Sequence, residues 1–231
     1  SKVDLFLQCP KCFYIDRSEK HRIARPSGPM SYIPTAIDLL LKEDFDKHRN
    51  DQTVHPYCSD NNINLIPFKH DEIKDWQNNR KGIRYHDINT NFILYGAIDD
   101  CWVDDKEKLF VADYKTTTVS YDKKTKEPLP ASLDEKGAPH KYWYKKQVEF
   151  YQWLFTQKGF EVSSTTYFVF CSAFYKNIEN FNEELKFKIE LLSYEGDFSW
   201  VDNTIINIKN TLESEDAPDS DPNCKHCIYR N

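Results

Sequence analysis

Apolar residues recur every three or four positions in several segments, which is the spacing of one face of a helix. This spacing predicts a short helix ending near residue 9 and further helices over 34–49, 71–79, 141–158 and 198–212. Runs rich in β-branched and aromatic residues instead predict strands over 91–97, 98–103, 109–117, 165–174 and 186–194. The order of these elements indicates one α/β domain over 1–231.

The segment 119–140 separates the third predicted strand from the helix that follows it. It is polar and rich in lysine, and it is interrupted by Pro128, Pro130, Gly137 and Pro139. Because proline and glycine break regular structure, we predict a mobile surface loop here.

Composition argues against disordered and membrane-spanning classes. Of the 231 residues, 39% are hydrophobic and 15% aromatic, which is enough to bury a substantial core. No run of about 18 apolar residues occurs, so no membrane-spanning helix is expected. The first residues do not resemble a secretory signal, and we expect a cytoplasmic protein. The formal net charge of −6 argues against a sequence-independent nucleic-acid coat, but permits an enzyme with a locally basic or metal-bridged cleft.

Two acids and a lysine are candidates for metal-dependent chemistry. Asp113 and Lys115 are two residues apart on a predicted strand, so their side chains share a face. Asp99 lies across the predicted hairpin, where it could share a divalent cation with Asp113. Hard cations such as Mg²⁺ favour carboxylate oxygens, and a nearby lysine could stabilise charge developing at phosphorus. A solvated acidic hairpin with a surface ion pair explains the same residues.

The helix that follows the loop adds polar and aromatic candidates. Gln147 and Tyr151 are four apart and share a helix face, from which they could contact a nucleic-acid strand or orient the lysine. The alternative is a half-buried tyrosine beside an exposed glutamine.

Aromatic and basic residues cluster at the start of the same helix. Stacking rings and phosphate-binding lysines would make a path for single-stranded nucleic acid, although an ordinary amphipathic helix start would carry the same residues. The cluster contains Tyr142, Trp143, Lys145 and Lys146.

Four of the seven cysteines form two CxxC pairs, at opposite ends of the chain. Cys9 and Cys12 lie within 1–15, whereas Cys224 and Cys227 lie within 218–231. In the cytoplasmic protein that we expect, such pairs indicate a metal site rather than disulfides. Four thiolates suit either a [4Fe–4S] cluster or a structural Zn²⁺ ion, and the spacing does not choose between them.

The segments GAID (96–99) and DYKT (113–116), followed by Gln147 and Tyr151, resemble motifs II, III and QxxxY of RecB-type nucleases. These enzymes belong to the PD-(D/E)XK superfamily and include the CRISPR-associated RecB-like exonucleases. The segments SKVDLFLQCPKCFY and CKHCIYR also resemble that group, in which cysteines from both ends hold an iron–sulfur cluster. The resemblance implies a mixed central β-sheet flanked by helices, with its two ends joined by the cysteine site.

The resemblance also implies roles for individual residues. Asp99 and Asp113 would bind Mg²⁺ or Mn²⁺ together with the main-chain carbonyl of Tyr114, and Lys115 would be the catalytic lysine. Gln147 and Tyr151 would support the site and the DNA strand. The implied activity is hydrolysis of DNA phosphodiesters, most simply by an exonuclease acting on single-stranded DNA or on ends.

Two features depart from the family pattern. Asp38 stands where motif I usually has a metal-binding histidine, so it could be a further ligand for a hard cation. The cysteines divide two and two, rather than one and three. A catalytically inactive module that binds nucleic acid or protein is therefore an alternative to the enzyme, and a cysteine-cluster redox sensor is a third possibility. The sequence does not identify a protein partner.

Overall fold

The computed structural model describes residues 1–19, 22–23, 28, 31–136, 138–176 and 182–230, without the side chains of 229 and 230. Gly137 of the predicted loop and Asn231 of the C-terminal segment lie outside the described residues. The helices are α1 Lys2–Gln8, α2 Pro10–Arg17, α3 Tyr32–Asp51, α4 Pro56–Ser59, α5 Ile73–Trp76, α6 His140–Gln157, α7 Trp200–Glu213 and α8 Lys225–Arg230. The strands are β1 Ile66–Pro67, β2 Ile83–Asp87, β3 Phe92–Gly96, β4 Asp100–Val103, β5 Leu109–Thr118, β6 Thr165–Ala173 and β7 Phe187–Glu195.

The central sheet has five strands in the order β1-β4-β5-β6-β7, and β2 and β3 form a separate two-stranded sheet. Strands β5 and β6 pair in parallel, whereas β4 with β5 and β6 with β7 pair antiparallel. Helix α6 connects the two parallel strands, as a parallel pair requires a crossover. The predicted α/β class, with a mixed central sheet flanked by helices, is confirmed.

The long predicted elements are present with small shifts at their ends. Helix α6 ends at Gln157, and Gly159 adopts a φ of +89° just past that end, as its position predicts. Helix α5 is shorter than the predicted segment 71–79. Asn78 accepts hydrogen bonds at Oδ1 from the backbone of Arg80 and Lys81, which favours a turn over further helix.

Described residues 119–136 contain no helix or strand, apart from one isolated bridge between Tyr121 and Pro128. The Asp122 carboxylate accepts hydrogen bonds from the backbone of Lys124 and Thr125 and thereby fixes a turn. Residues 119–136 are therefore irregular, and the mobile loop over 119–140 stays a prediction.

Contacts divide the chain into two units. The first contains 1–30, 86–92 and 197–231, and the second contains 31–85 and 93–196. The prediction that the chain folds as a single domain over 1–231 stays a prediction.

In the first unit, α1, α2 and α7 contact one another. The rings of Phe6 and Phe13 meet edge to face with centroids 5.3 Å apart, and the Tyr14 hydroxyl donates to the carbonyl oxygens of Ser214 and Glu215. These contacts fix the two short N-terminal helices that carry the first cysteine pair.

In the second unit, α3 packs on one face of the sheet. Phe45 of α3 is fully buried and stacks between His55 and Trp102, with ring centroids 3.9 and 5.3 Å away. Ala112 and Tyr114 of β5 belong to this apolar cluster. Because side chains alternate along a strand, Asp113 and Lys115 face the opposite side, toward α6.

A buried ion pair joins α3 to the start of β4. Arg49 Nη2 lies 2.5 Å from Asp100 Oδ1, and both side chains are almost completely buried. Asp100 Oδ2 accepts hydrogen bonds from Tyr114 Oη and Trp102 Nε1. This network fixes β4 at the residue that directly follows Asp99.

No helix in the described part of the chain is long and apolar enough to cross a membrane.

Replacing Arg49 with alanine should lower the free energy of unfolding by about 3–5 kcal/mol, because the buried Asp100 carboxylate loses its counter-charge. Urea unfolding measures this change. The matched control is Lys47→Ala on the same helix, because the ion pair of Lys47 with Asp44 is exposed and should contribute less than about 1 kcal/mol. Equally small effects of the two variants would contradict a structural role for the buried pair.

Candidate active site and cysteine cluster

Strand β5 presents Asp113 and Lys115 on one face, as their spacing predicts. Lys115 Nζ lies 2.5 Å from Asp113 Oδ2, and Asp113 is completely buried. Oδ1 of Asp113 has no hydrogen-bond partner among the described residues, and the partner of Oδ2 is the Lys115 ammonium group. A buried carboxylate with so little compensation is costly in a core, which marks this residue as a candidate functional group.

Asp99 is held next to β5 by backbone contacts. Its Oδ2 accepts a hydrogen bond of 2.9 Å from the Tyr114 backbone N–H, and its carbonyl oxygen accepts one of 2.8 Å from Gln77 Nε2. Asp100 pairs with Ala112 in the antiparallel register, so Asp99 lies at the level of Asp113. The predicted juxtaposition of the two acids across the hairpin is therefore present.

Asp38 reaches the same region from α3, but a lysine stands between it and Asp99. Lys42 Nζ lies 2.8 Å from Asp38 Oδ2 and 3.4 Å from Asp99 Oδ1. Lys42 was not among the residues predicted from the sequence. Its spacing of four residues from Asp38 on one helix face was the available signal.

Helix α6 positions the amine of Lys115. Gln147 Oε1 accepts a hydrogen bond of 3.0 Å from Lys115 Nζ, and Gln147 Nε2 donates one of 2.8 Å to the Tyr151 hydroxyl oxygen. The ring centroid of Tyr144 lies 4.5 Å from Lys115 Nζ, in a cation–π contact that the sequence analysis missed. Gln147 therefore contacts the lysine directly, and Tyr151 acts on it through Gln147.

Gly96 of the GAID segment makes room for Tyr151. A Cβ atom at position 96 would lie only 2.6 Å from Tyr151 Cε1. A side chain there would displace the tyrosine ring, so the glycine and the QxxxY tyrosine depend on each other through close packing.

The pKa values of the acids and of the amines at this site are shifted by different effects. Burial raises the pKa of Asp113 to about 7; Lys115 opposes this shift, whereas Asp99 and Asp38 add to it. Burial also disfavours the charged lysines, but carboxylates outweigh it and raise the pKa of Lys115 and of Lys42. Both amines therefore carry positive charge at neutral pH, so Lys115 is suited to stabilising negative charge rather than to accepting a proton.

The donor set fits a hard divalent cation. The unpartnered Oδ1 of Asp113 and the carboxylate of Asp99 are ligands of the type that Mg²⁺ and Mn²⁺ prefer, and a cation would relieve the repulsion between the two acids. The acids do not form as tight a set as the cysteines. In the described residues, only the four cysteines form a group of three or more potential ligands within 4.8 Å of one another.

The basic and aromatic residues at the start of α6 are engaged with neighbouring side chains. Lys145 pairs with Glu135 at 2.7 Å, and Lys146 pairs with Glu149 at 2.8 Å. Tyr142 and Trp143 meet edge to face with centroids 4.9 Å apart, and Tyr142 is 38% exposed. The exposed ring is available for stacking, while the two lysines already have acidic partners.

The cysteine pairs converge in the first unit, as predicted. Cys9 lies between α1 and α2, and Cys12 is in the first turn of α2. Cys224 directly precedes α8, and Cys227 is in its first turn. The four Sγ atoms lie within 4.8 Å of one another. The remaining thiols are buried and form no disulfide; they belong to Cys58, Cys101 and Cys171.

The family comparison matches the whole chain. The model for the PD-(D/E)XK nuclease superfamily matches residues 1–231. No curated protein and no solved structure matches the chain significantly. The match agrees with the mixed sheet, and the chain belongs to the PD-(D/E)XK nuclease superfamily.

Proposed function

We propose that this protein is a metal-dependent deoxyribonuclease of the RecB type. One observation carries the proposal: the fully buried Asp113 carboxylate pairs with the Lys115 amine through Oδ2 beside Asp99, while its Oδ1 has no hydrogen-bond partner among the described residues. This combination is costly for stability and matches what phosphodiester hydrolysis requires. Superfamily membership supports the nuclease class.

The metal ligands of the proposal are Asp99, Asp113 and the main-chain carbonyl of Tyr114, with Asp38 as a further candidate. A bound Mg²⁺ or Mn²⁺ ion would offset phosphate charge and lower the pKa of a water molecule. The hydrogen bond from the Tyr114 N–H orients the Asp99 carboxylate.

Lys115 supplies positive charge to the reacting phosphate. Gln147 Oε1 and the Tyr144 ring hold its ammonium group, which limits the reorganisation needed as charge develops at phosphorus. Tyr151 restrains Gln147 and is thus a positioning residue.

The proposed substrate is DNA, with single-stranded DNA or ends favoured and exonucleolytic attack the expected mode. The resemblance of the GAID, DYKT and QxxxY segments to RecB-type nucleases supports this choice. The exposed Tyr142 ring next to Trp143 supports a single-stranded path, because every base offers a face for stacking.

Asp113→Asn and Lys115→Met should each lower cleavage of labelled single-stranded DNA in Mn²⁺ by about a hundredfold or more, because each removes charge from the reacting centre. Initial rates of product release measure the effect. The matched control is Asp105→Asn, an exposed acid in the turn between β4 and β5, which should cleave like the wild type. Equal cleavage by all four proteins would show that this site does not carry the activity.

A non-catalytic module that binds nucleic acid or protein is the second candidate, and the position of Lys42 favours it. The Lys42 ammonium lies between Asp38 and Asp99 and already neutralises part of their charge. Because the lysine already reduces the repulsion between the two carboxylates, a metal ion would stabilise them less.

Lys42→Met should tighten Mn²⁺ binding by about tenfold or more, because a competing positive charge is removed from Asp38 and Asp99. Isothermal titration calorimetry measures the dissociation constant, and Lys47→Met on the same helix is the matched control. If neither wild type nor Lys42→Met bound Mn²⁺, while DNA still bound, the non-catalytic candidate would replace the nuclease.

Tyr142→Ala should weaken binding of single-stranded DNA by about 1–3 kcal/mol, the contribution of one stacked base. Fluorescence anisotropy in a Lys115→Met background avoids cleavage during the measurement. Tyr95→Ala, which removes another exposed ring, from β3, should leave the affinity unchanged. Equal losses in the two variants would contradict a specific stacking role for Tyr142.

A further inference from the structure

The spacing of the cysteine sulfurs bears on which metal they hold. Cys9 Sγ lies 3.6 Å from Cys227 Sγ, and Cys12 Sγ lies 3.6 Å from Cys224 Sγ and 3.7 Å from Cys227 Sγ. All four Sγ atoms lie within 4.8 Å of one another. The sulfurs therefore surround a space that is about the size of one ion.

These separations match a single tetrahedral ion. A zinc–sulfur bond of about 2.3 Å places neighbouring sulfurs of a regular tetrahedron about 3.8 Å apart. The three measured distances lie within 0.2 Å of this value, so zinc could enter with only small movements of the side chains. Two CxxC pairs are also a common ligand pattern of structural zinc sites.

The same separations do not fit a [4Fe–4S] cluster. In that cluster each thiolate binds a different iron, and four irons and four sulfides fill the space between the thiolates. Sulfurs in van der Waals contact leave no room for such a core. The resemblance to iron–sulfur nucleases and the geometry of this chain therefore disagree.

The helices that carry the N-terminal pair resist widening of the site. Cys9 caps α2 by accepting a hydrogen bond at Sγ from the Cys12 backbone N–H, and Pro10 begins that helix. Lys11 Nζ donates to Ser220 Oγ at 2.8 Å, which joins α2 to the segment before Cys224. These contacts hold the N-terminal pair near the segment that leads to Cys224.

We propose that Cys9, Cys12, Cys224 and Cys227 bind one tetrahedral Zn²⁺ ion rather than a [4Fe–4S] cluster. Four thiolates leave no open position on a tetrahedral ion, so the site is structural, and it ties 9–12 to 224–227 within the first unit. Zn²⁺ also has no redox chemistry. This assignment removes the redox-sensor alternative and does not depend on the nuclease proposal.

Metal analysis of the full chain tests the proposal directly. The protein is expressed with iron and zinc both supplied and is purified without oxygen, so that an oxygen-sensitive cluster would survive. Elemental analysis should find one zinc ion per chain, and neither iron nor acid-labile sulfide. Four irons with four sulfides per chain and a brown colour would overturn the proposal, and one iron without sulfide would overturn the choice of zinc.

Cobalt substitution tests the ligands. Co²⁺ added to the zinc-depleted protein should give the intense visible bands of tetrahedral coordination and a thiolate charge-transfer band. Cys227→Ser should weaken these bands, whereas Cys171→Ser, the same change at a buried thiol outside the cluster, should leave them unchanged. If Cys227→Ser failed to fold, the wild-type metal content and cobalt spectrum would still decide the question. Octahedral cobalt bands without thiolate charge transfer would contradict the four-sulfur site.

Discussion

The burial of the Asp113 carboxyl group beside Lys115 is the constraint on which the proposed active site depends. This carboxylate is fully buried, with Oδ2 paired to the Lys115 amine and Oδ1 without a hydrogen-bond partner among the described residues. Desolvation of this kind is tolerated only when nearby charges compensate for it. The surrounding structure supplies part of that compensation through Lys115 and leaves the carboxylate oxygens available to a cation.

Several elements of the second unit serve to hold this arrangement in place. The Arg49–Asp100 pair anchors the start of β4, and the Tyr114 backbone N–H fixes the Asp99 carboxylate one residue earlier. From the other side, Gln147 of α6 binds the lysine. Tyr114 contributes to both the core and the site. Its side chain packs in the apolar cluster with α3, while its backbone N–H donates to the Asp99 carboxylate. The two-residue spacing of Asp113 and Lys115 therefore follows from the geometry of a strand, and the four-residue spacing of Gln147 and Tyr151 from that of a helix.

The sequence predicted the long elements and the principal candidate residues because each has a strong local pattern. The two-residue spacing of Asp113 and Lys115 placed them on one face, and the four-residue spacing of Gln147 and Tyr151 placed them on one helix side. The ion pair of Lys42 with Asp99 and the contact of Tyr144 with Lys115 were not predicted, because they join residues that are far apart in the sequence. Helix α4, which spans only Pro56–Ser59, and the two-residue strand β1 were missed because such short segments show no period. The choice of metal at the cysteines likewise required distances between sulfurs far apart in sequence.

The central claim is that Asp99 and Asp113 share a cation beside Lys115. Anomalous diffraction from crystals soaked in Mn²⁺ tests it most directly, because the signal locates the ion without reference to activity. The account predicts a peak within coordination distance of both carboxylates, with the Lys115 amine on the same side of the sheet. A fully soaked crystal with no peak at these two acids, or with its peak elsewhere and Lys115 turned away, would contradict it.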